Sequence, residues 1–548
     1  MEVLIADLKA GEPFGLDAAL IKTINWTLAL TRVSQDLRSD FIYSPHLGFI
    51  YAKAGDELIA AVTKELQSGT YSPGVPLTIE VPKSYRMRVA VQSKRLGPPY
   101  FRPGSILLPR DRIFYQALAD QAAPIVDGKT DHDRSFSHRL SLAGAASMFL
   151  PTRTCWNALQ SALAEHAKSD AVHYIVKIDV ANFFGSLNQH TLINVLTDAG
   201  YPASLATRLE VILTRYTGER SSRGILQGIY PSDLFGNFYL APTDRFLADY
   251  GVRSARYVDD IYAFVESVEA ADHLLRQLIP YLRTYDLVLN EAKSVIMPKA
   301  ALITEEPDLE ALFSDALEEV TSQIEEDEVD TDYGFQSEWI DEDEDEDDDD
   351  DDQHALELQA TTALFDSISN YPGHEENIER FCLPLFAKAD SDYAVQHVLD
   401  SFKKRPSMAQ IYVAYLAKFL NAEAVSTLLV SLLNDGSLVD WQKMWILAAL
   451  SQAQKAGDDS VKFAAQILKD GSRHEALRAA AAIYVGRFGD HARRKALASI
   501  YSTVSTYIQV GIYYSSRYWP QVERGNAKAN WSGHSPLHGL MSIALAKK

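Results

Sequence analysis

The tetrapeptide Tyr257-Val258-Asp259-Asp260 lies on a short turn between two apolar runs. The run after it, Ile261-Tyr262-Ala263-Phe264-Val265, is rich in aromatic and β-branched residues, so the pair reads as a hairpin with carboxylates near its tip. A second strand signal, Tyr174-Ile175-Val176-Lys177-Ile178, ends at Asp179, which precedes Asp259 by 80 residues. Its short, β-rich and mostly apolar character is that of a central strand. Between the two acidic points lies Gly224-Ile225-Leu226-Gln227-Gly228-Ile229-Tyr230-Pro231-Ser232.

A chain of 548 residues is long for one domain, so two or three units are expected. No stretch approaches the roughly 18–20 apolar residues of a membrane helix. The N-terminus has neither the basic region nor the apolar core of a signal peptide. Cys155 and Cys382 form no disulfide framework and no zinc spacing, which points to a reducing cytoplasm. The net charge of −22 is local: residues 305–352 hold 26 acidic residues and no Lys or Arg, leaving +4 for the rest. The balance therefore does not exclude a phosphate-binding cleft.

The pattern predicts an α+β unit over residues 1–300, an acidic linker over 301–353 and an all-α unit over 354–548. In the first, Leu16 to Leu30 and Asp56 to Leu66 read as amphipathic helices and Leu77 to Val81 as a half-buried strand. In the second, the positions from Asp341 to Asp352 are all acidic and repel one another. They read as a solvated linker, with a phosphate mimic competing for a basic cleft as the sharper alternative. In the third, helix-period faces run over Ala394 to Phe402, Ala409 to Leu420, Ala422 to Leu433, Trp441 to Ala453, Asp459 to Leu468, Arg473 to Phe488 and Ala492 onward. Short breaks such as Asn434-Asp435-Gly436 suggest stacked antiparallel pairs similar to HEAT repeats, or an irregular bundle.

Two-metal phosphoryl transfer needs hard oxygen ligands around cations about 4 Å apart. Asp179 on one strand and Asp259 on a neighbouring hairpin can bridge them, with Asp260 the weaker ligand. A polar turn is the bland alternative for Asp259-Asp260.

The ordered set resembles a reverse transcriptase palm. Lys177-Ile178-Asp179-Val180-Ala181-Asn182-Phe183-Phe184 is similar to motif A, Gln227-Gly228 with Ser232 to motif B, and Tyr257-Val258-Asp259-Asp260 to motif C. Leu289-Asn290-Glu291-Ala292-Lys293-Ser294 resembles motif D. Upstream, Val81-Pro82-Lys83 and Leu108 to Ile113, with Arg112, resemble the fingers motifs that hold triphosphate and template; Ser135 to Arg139 resembles the lead into the palm. The resemblance implies a right-hand polymerase of fingers and palm followed by an all-α HEAT-like domain. It implies a metal site of Asp179, Val180, Asp259 and Asp260 for two Mg2+ ions, Mn2+ being an alternative. Asp179, Asp259, Asp260 and Lys293 would be catalytic, Lys293 protonating the leaving pyrophosphate. Lys83, Arg112, Arg139, Phe184, Gln227, Gly228 and Ser232 would bind the nucleotide, Phe184 excluding a 2′-hydroxyl. Ordinary alternatives are core packing for Phe184, ion pairing for Arg112 and Arg139, and a solvated side chain for Lys293.

Leu226 stands where Pro is common, and Ser232-Asp233 replaces the common Ser-Pro. The C-terminal helices make the whole similar to bacterial abortive-infection and unknown-group reverse transcriptases used against phage. That resemblance implies a cytoplasmic prokaryotic antiviral enzyme with deoxynucleoside triphosphates as substrates, a DNA product and no membrane, assembling as a homo-oligomer. It also implies untemplated, protein-primed synthesis, with Tyr43, Tyr51, Tyr501, Tyr507, Tyr513, Tyr514 and Tyr518 among the candidate primers. The alternatives are copying of a dedicated noncoding RNA, and an inactive palm used as a scaffold.

Overall fold

The computed structural model describes residues 12–88, 96–218, 222–304 and 351–547, together with 312, 313 and 316. Most of the acidic run, from Asp341 to Asp350, lies outside the described residues.

Two sheets carry the front half. Strand β1 (Leu77–Arg88) pairs antiparallel with β2 (Leu96–Ile106), longer than the strand expected over Leu77 to Val81. The second sheet has four antiparallel strands in the order β4-β5-β3-β6, with β3 at Tyr174–Ile178, β4 at Arg253–Tyr257, β5 at Asp260–Val265 and β6 at Val295–Pro298. Side chains alternate between its faces, as the period of two in a strand demands. Val176, Ile178, Ile261, Ala263 and Val265 join the main core, beside the helix Val268–Thr284. Ile175, Tyr262, Phe264, Ala255 and Met297 face the opposite way, onto Leu159 and Leu163 of the helix Thr152–Ala167. Both faces are therefore largely buried, which explains why β3, Lys177 apart, and β5 from Ile261 onward read as mostly apolar rather than alternating.

The first expected helix is split into Ala18–Thr23 and Trp26–Asp36 because Asn25 starts a new one, its side chain accepting from the Leu28 N–H. The second is longer than expected, Pro45–Ser68, with Pro45 in its first turn and Gly69 closing it at φ 70°.

The C-terminal helices appear close to their expected places, for example Val395–Ser401, Glu423–Leu433, Asp440–Leu450 and Glu475–Phe488, though the one from Ala409 stops at Ala417. Helix Glu375–Lys388 packs on Ala409–Ala417, and the contacts continue in turn through Asp440–Leu450, Glu475–Phe488, Thr506–Ser515 and Pro536–Ala546. These helices begin at intervals of 30 to 35 residues, and the helices between them lie outside this row. The row closes on the front half: Pro536–Ala546 packs on Pro45–Ser68, and Lys547 Nζ lies 2.8 Å from a Glu57 carboxylate oxygen.

The unit boundaries blur at the linker. A 3-10 helix, Lys299–Thr304, runs past residue 300, and helix Asp351–Asp366 begins before residue 354. Phe313 is buried with its ring 5.4 Å from Phe381, so this part of the expected linker packs.

Candidate active site

Asp179 and the Asp259-Asp260 pair meet at one end of the four-stranded sheet. Ile178 pairs with Ile261 and Tyr257 with Asp260, so the next step of the register sets position 179 opposite 260. The turn itself is strained. Val258 has φ 52°, a conformation that a β-branched residue rarely adopts and that costs about 1–3 kcal/mol.

Buried partners hold that turn. The Val258 N–H donates to Ser137 Oγ at 2.8 Å, and Ser137 Oγ donates to Asn237 Oδ1 at 3.0 Å. Arg256 Nη1 donates to the same Asn237 oxygen at 2.6 Å and to the Val258 carbonyl at 3.2 Å. The Arg256 guanidinium is fixed by Asp244, with Nε at 2.8 Å from Oδ1 and Nη2 at 2.8 Å from Oδ2. Ser137, Asn237, Arg256 and Asp244 are all buried, so the carboxylates stand on a rigid base. Sequence reading assigned none of the four a role, though Ser137 lies in the segment leading into the palm, because their signal is a convergence of remote segments.

Asp179 is clamped by the segment resembling motif D. Asn290 Nδ2 donates to its Oδ2 at 2.8 Å, the Asn290 N–H donates to its main-chain carbonyl at 2.7 Å, and Lys293 Nζ donates to its Oδ1 at 3.1 Å. Asn290 was another residue missed as functional. Lys293 is half exposed while Asp179 is nearly buried, so this ion pair contributes little stability. Burial opposes the Lys293 charge, but the Asp179 carboxylate and then Asp260 and Asp259 raise its pKa. Burial, then the charges of Asp260 and Asp179, pushes the Asp259 carboxyl from 3.8 up to about 6, against the pull of Lys293.

Among the described residues no three His, Cys, Asp or Glu side chains form a ready-made metal cage. The donor set nevertheless fits divalent cations that take only part of their shell from protein: hard carboxylate oxygens, with Asp260 and Asp179 close enough to Asp259 to raise its proton affinity. Val180 is buried and bridges to Leu289, which ties motif A to the Asn290 segment.

The β1–β2 hairpin brings cations to this acidic end. Arg102 pairs with Val81, and its charge reaches Lys83 on the same hairpin. Burial lowers the Lys83 pKa, the charges of Arg102 and Lys293 lower it further, and Asp259 and Asp179 act against them. Arg102 Nε is buried without a hydrogen-bond partner among the described residues. Sequence reading passed over Arg102 because an isolated Arg carries no local signal.

Motif B touches motif A directly. The Ile225 N–H donates to the Phe184 carbonyl at 2.9 Å and the Gly224 N–H to that of Leu187 at 2.7 Å. Gln227 is half-buried, and Gly228 has φ 76°. Phe183 is the fully packed ring; Phe184 is half-buried, 5.3 Å from it. A Cβ on Gly236 would come within 2.9 Å of Phe184 Cε1, so this glycine makes room for the ring.

Three expected nucleotide contacts lie elsewhere. Arg112 is fully buried, with Nη2 at 2.6 Å from Asp36 and 3.0 Å from Asp40, so its guanidinium serves an internal ion pair. Arg139 donates to the carbonyls of Ser135 and His132 and lies over the Phe136 ring, bracing the loop that carries Ser137. The Ser232 side chain is buried, 3.1 Å from the Tyr115 hydroxyl, facing the core. Of the seven candidate priming tyrosines, only Tyr518 is exposed.

Residues 94–327, under half of the chain, match the family model described as reverse transcriptase (RNA-dependent DNA polymerase). No curated protein matches the chain. Among solved structures, apo telomerase from Candida tropicalis truncated from its C-terminal domain is similar at 15% identity and TM-score 0.28, over 45% of this chain and 55% of that one. Telomerase from Candida tropicalis with the TWJ fragment of telomeric RNA aligns at 12% identity and TM-score 0.29, over 75% of this chain and 67% of that one. Its Candida albicans counterpart aligns at 12% identity and TM-score 0.27, over 69% of each chain. At such scores these likenesses carry no argument. The matched stretch encloses Asp179 and the Asp259-Asp260 turn, and supports a reverse-transcriptase-type domain over residues 94–327.

Proposed function

We propose that the protein is a DNA polymerase of anti-phage defence that adds deoxynucleotides by two-metal phosphoryl transfer without a nucleic-acid template. The observation that carries the chemistry is the meeting of Asp179 with the Asp259-Asp260 turn beside Lys293, Lys83 and Arg102. Asp179 and Asp259, with Asp260 and the Val180 main chain, would hold two Mg2+ ions. When bound, the ions supply charge stabilisation at the transferring phosphate and help activate a primer hydroxyl. Lys83 and Arg102 attract and orient the triphosphate, and Lys293 is placed to give a proton to the leaving pyrophosphate once it leaves Asp179.

Defence, protein priming, homo-oligomerisation and a cytoplasmic prokaryotic setting rest on the resemblance to abortive-infection and unknown-group enzymes. No helix among the described residues is long and apolar enough to cross a membrane. In the division into fingers and palm over 1–300, a linker over 301–353 and HEAT-like repeats over 354–548, the stacked row of C-terminal helices supports the last unit. Templated copying of a noncoding RNA shares every catalytic residue. Sequencing the DNA made in cells and from purified protein separates the two: a random or homopolymeric product supports untemplated synthesis, and one fixed complementary sequence refutes it.

Phe184, half-buried against Phe183, supports deoxynucleotide selection. Phe184→Ala is expected to raise ribonucleotide incorporation about tenfold or more, the scale on which an unfavourable contact of a kcal/mol or two discriminates. Competition assays with paired dNTP and NTP check it, and equal discrimination by both proteins would remove the sugar-gate assignment.

A further inference from the structure

Phe41 lies in the short segment between the 3-10 turn Leu37–Ser39 and the helix Pro45–Ser68. Its ring is wedged between two glycines from different parts of the active site. A Cβ on Gly228 would approach Phe41 Cε2 to 2.4 Å, and one on Gly104 of β2 would approach Phe41 Cβ to 2.7 Å and Cγ to 3.1 Å. The Arg102 guanidinium carbon lies 4.6 Å from the ring centre, a cation–π contact on its face. Phe41 thus fills the space that a side chain at Gly228 or Gly104 would need.

The backbone beside the ring is pinned. The Phe41 carbonyl accepts from Trp441 Nε1 at 2.7 Å, which ties it to the C-terminal helices. Asp40 is buried and accepts from Arg112, while its carbonyl accepts from Gln410 Nε2 at 3.4 Å. Ile42, on the other side, is buried in the core. The main chain that carries the ring is therefore tied to both halves of the molecule.

We propose that Phe41 occupies the space between the fingers hairpin and the Gln227-Gly228 turn that a templating base would need, and so makes the polymerase indifferent to a template strand. This rests on the polymerase reading above, in which Lys83 and Arg102 of the hairpin and the Gln227-Gly228 turn hold the incoming nucleotide, so that its pairing partner would have to lie beside them. A base and a phenyl ring fill similar flat volumes, and close-packed protein does not hold both. The substrates left are a single growing strand and a deoxynucleoside triphosphate, with nucleotide choice set by protein contacts. Ordinary core packing of Phe41 predicts instead that emptying the slot changes stability alone.

The test compares wild type with Phe41→Ala and Phe41→Leu, the leucine keeping the slot filled in a folded protein. Fluorescence anisotropy measures binding of a primer–template with a 5′ overhang and of the primer strand alone. Phe41→Ala should favour the primer–template over the single strand by about tenfold more than wild type, the scale of one stacked base. Phe41→Leu should keep the wild-type ratio. In extension assays wild type should add nucleotides irrespective of the overhang, and Phe41→Ala should shift toward the complementary one. An unchanged binding ratio in Phe41→Ala, or faithful copying by wild type, overturns the proposal. A shifted ratio with no incorporation by any of the proteins would uphold the slot and sink the polymerase reading.

Discussion

Asp259→Asn is expected to abolish nucleotide incorporation, by about a thousandfold or more, while the protein stays folded. Removing a charged ligand withdraws several kcal/mol of transition-state stabilisation, and each 1.36 kcal/mol is tenfold in rate. The fold should survive because Asp259 is a burden on it: burial and the charges of Asp260 and Asp179 raise its carboxyl to about 6. A raised folded pKa gives a contribution to stability that is present below the unfolded value, near 3.8, and lost as pH rises through about 6. In chelator above that pH, Asp259→Asn should therefore be at least as stable as wild type. Single-turnover extension and urea denaturation check both halves; retained synthesis would put the chemistry elsewhere.

Arg112→Met should act on stability, and strongly. The substitution leaves Asp36 and Asp40 buried without their cation, and burial already pushes both carboxyls upward against the pull of Arg112. Breaking a buried pair from one side costs about 3–5 kcal/mol. The denaturation midpoint should fall accordingly, while the remaining folded enzyme keeps its KM for nucleotide. Adding Asp36→Asn and Asp40→Asn should recover part of the loss. Wild-type stability with a raised KM would return Arg112 to the nucleotide site.

Those substitutions mark where sequence was informative. Asp179 and Asp259 were readable because a strand end and a hairpin tip have local signatures, and backbone pairing then brings them together. The C-terminal helices were readable for the same reason, since apolar faces recur at the helical period; their stacking was not, being set by packing rather than by repeated residues. Arg112 and Ser232 misled because a short motif does not reveal which way a side chain points, and both turn inward. Asn290 and Ser137 lay inside quoted motifs without a role, and Arg102, Phe41, Asn237, Arg256 and Asp244 carried no signal, as each acts through partners remote in the chain.

The metal site is the centre of the account, and crystals soaked with Mn2+ and a non-hydrolysable deoxynucleoside triphosphate address it directly. Anomalous scattering should show two peaks about 4 Å apart between Asp179 and the Asp259-Asp260 turn, with Lys293 released from Asp179. Peaks bound elsewhere, or Lys293 still seated on Asp179 beside an ordered triphosphate, would contradict it.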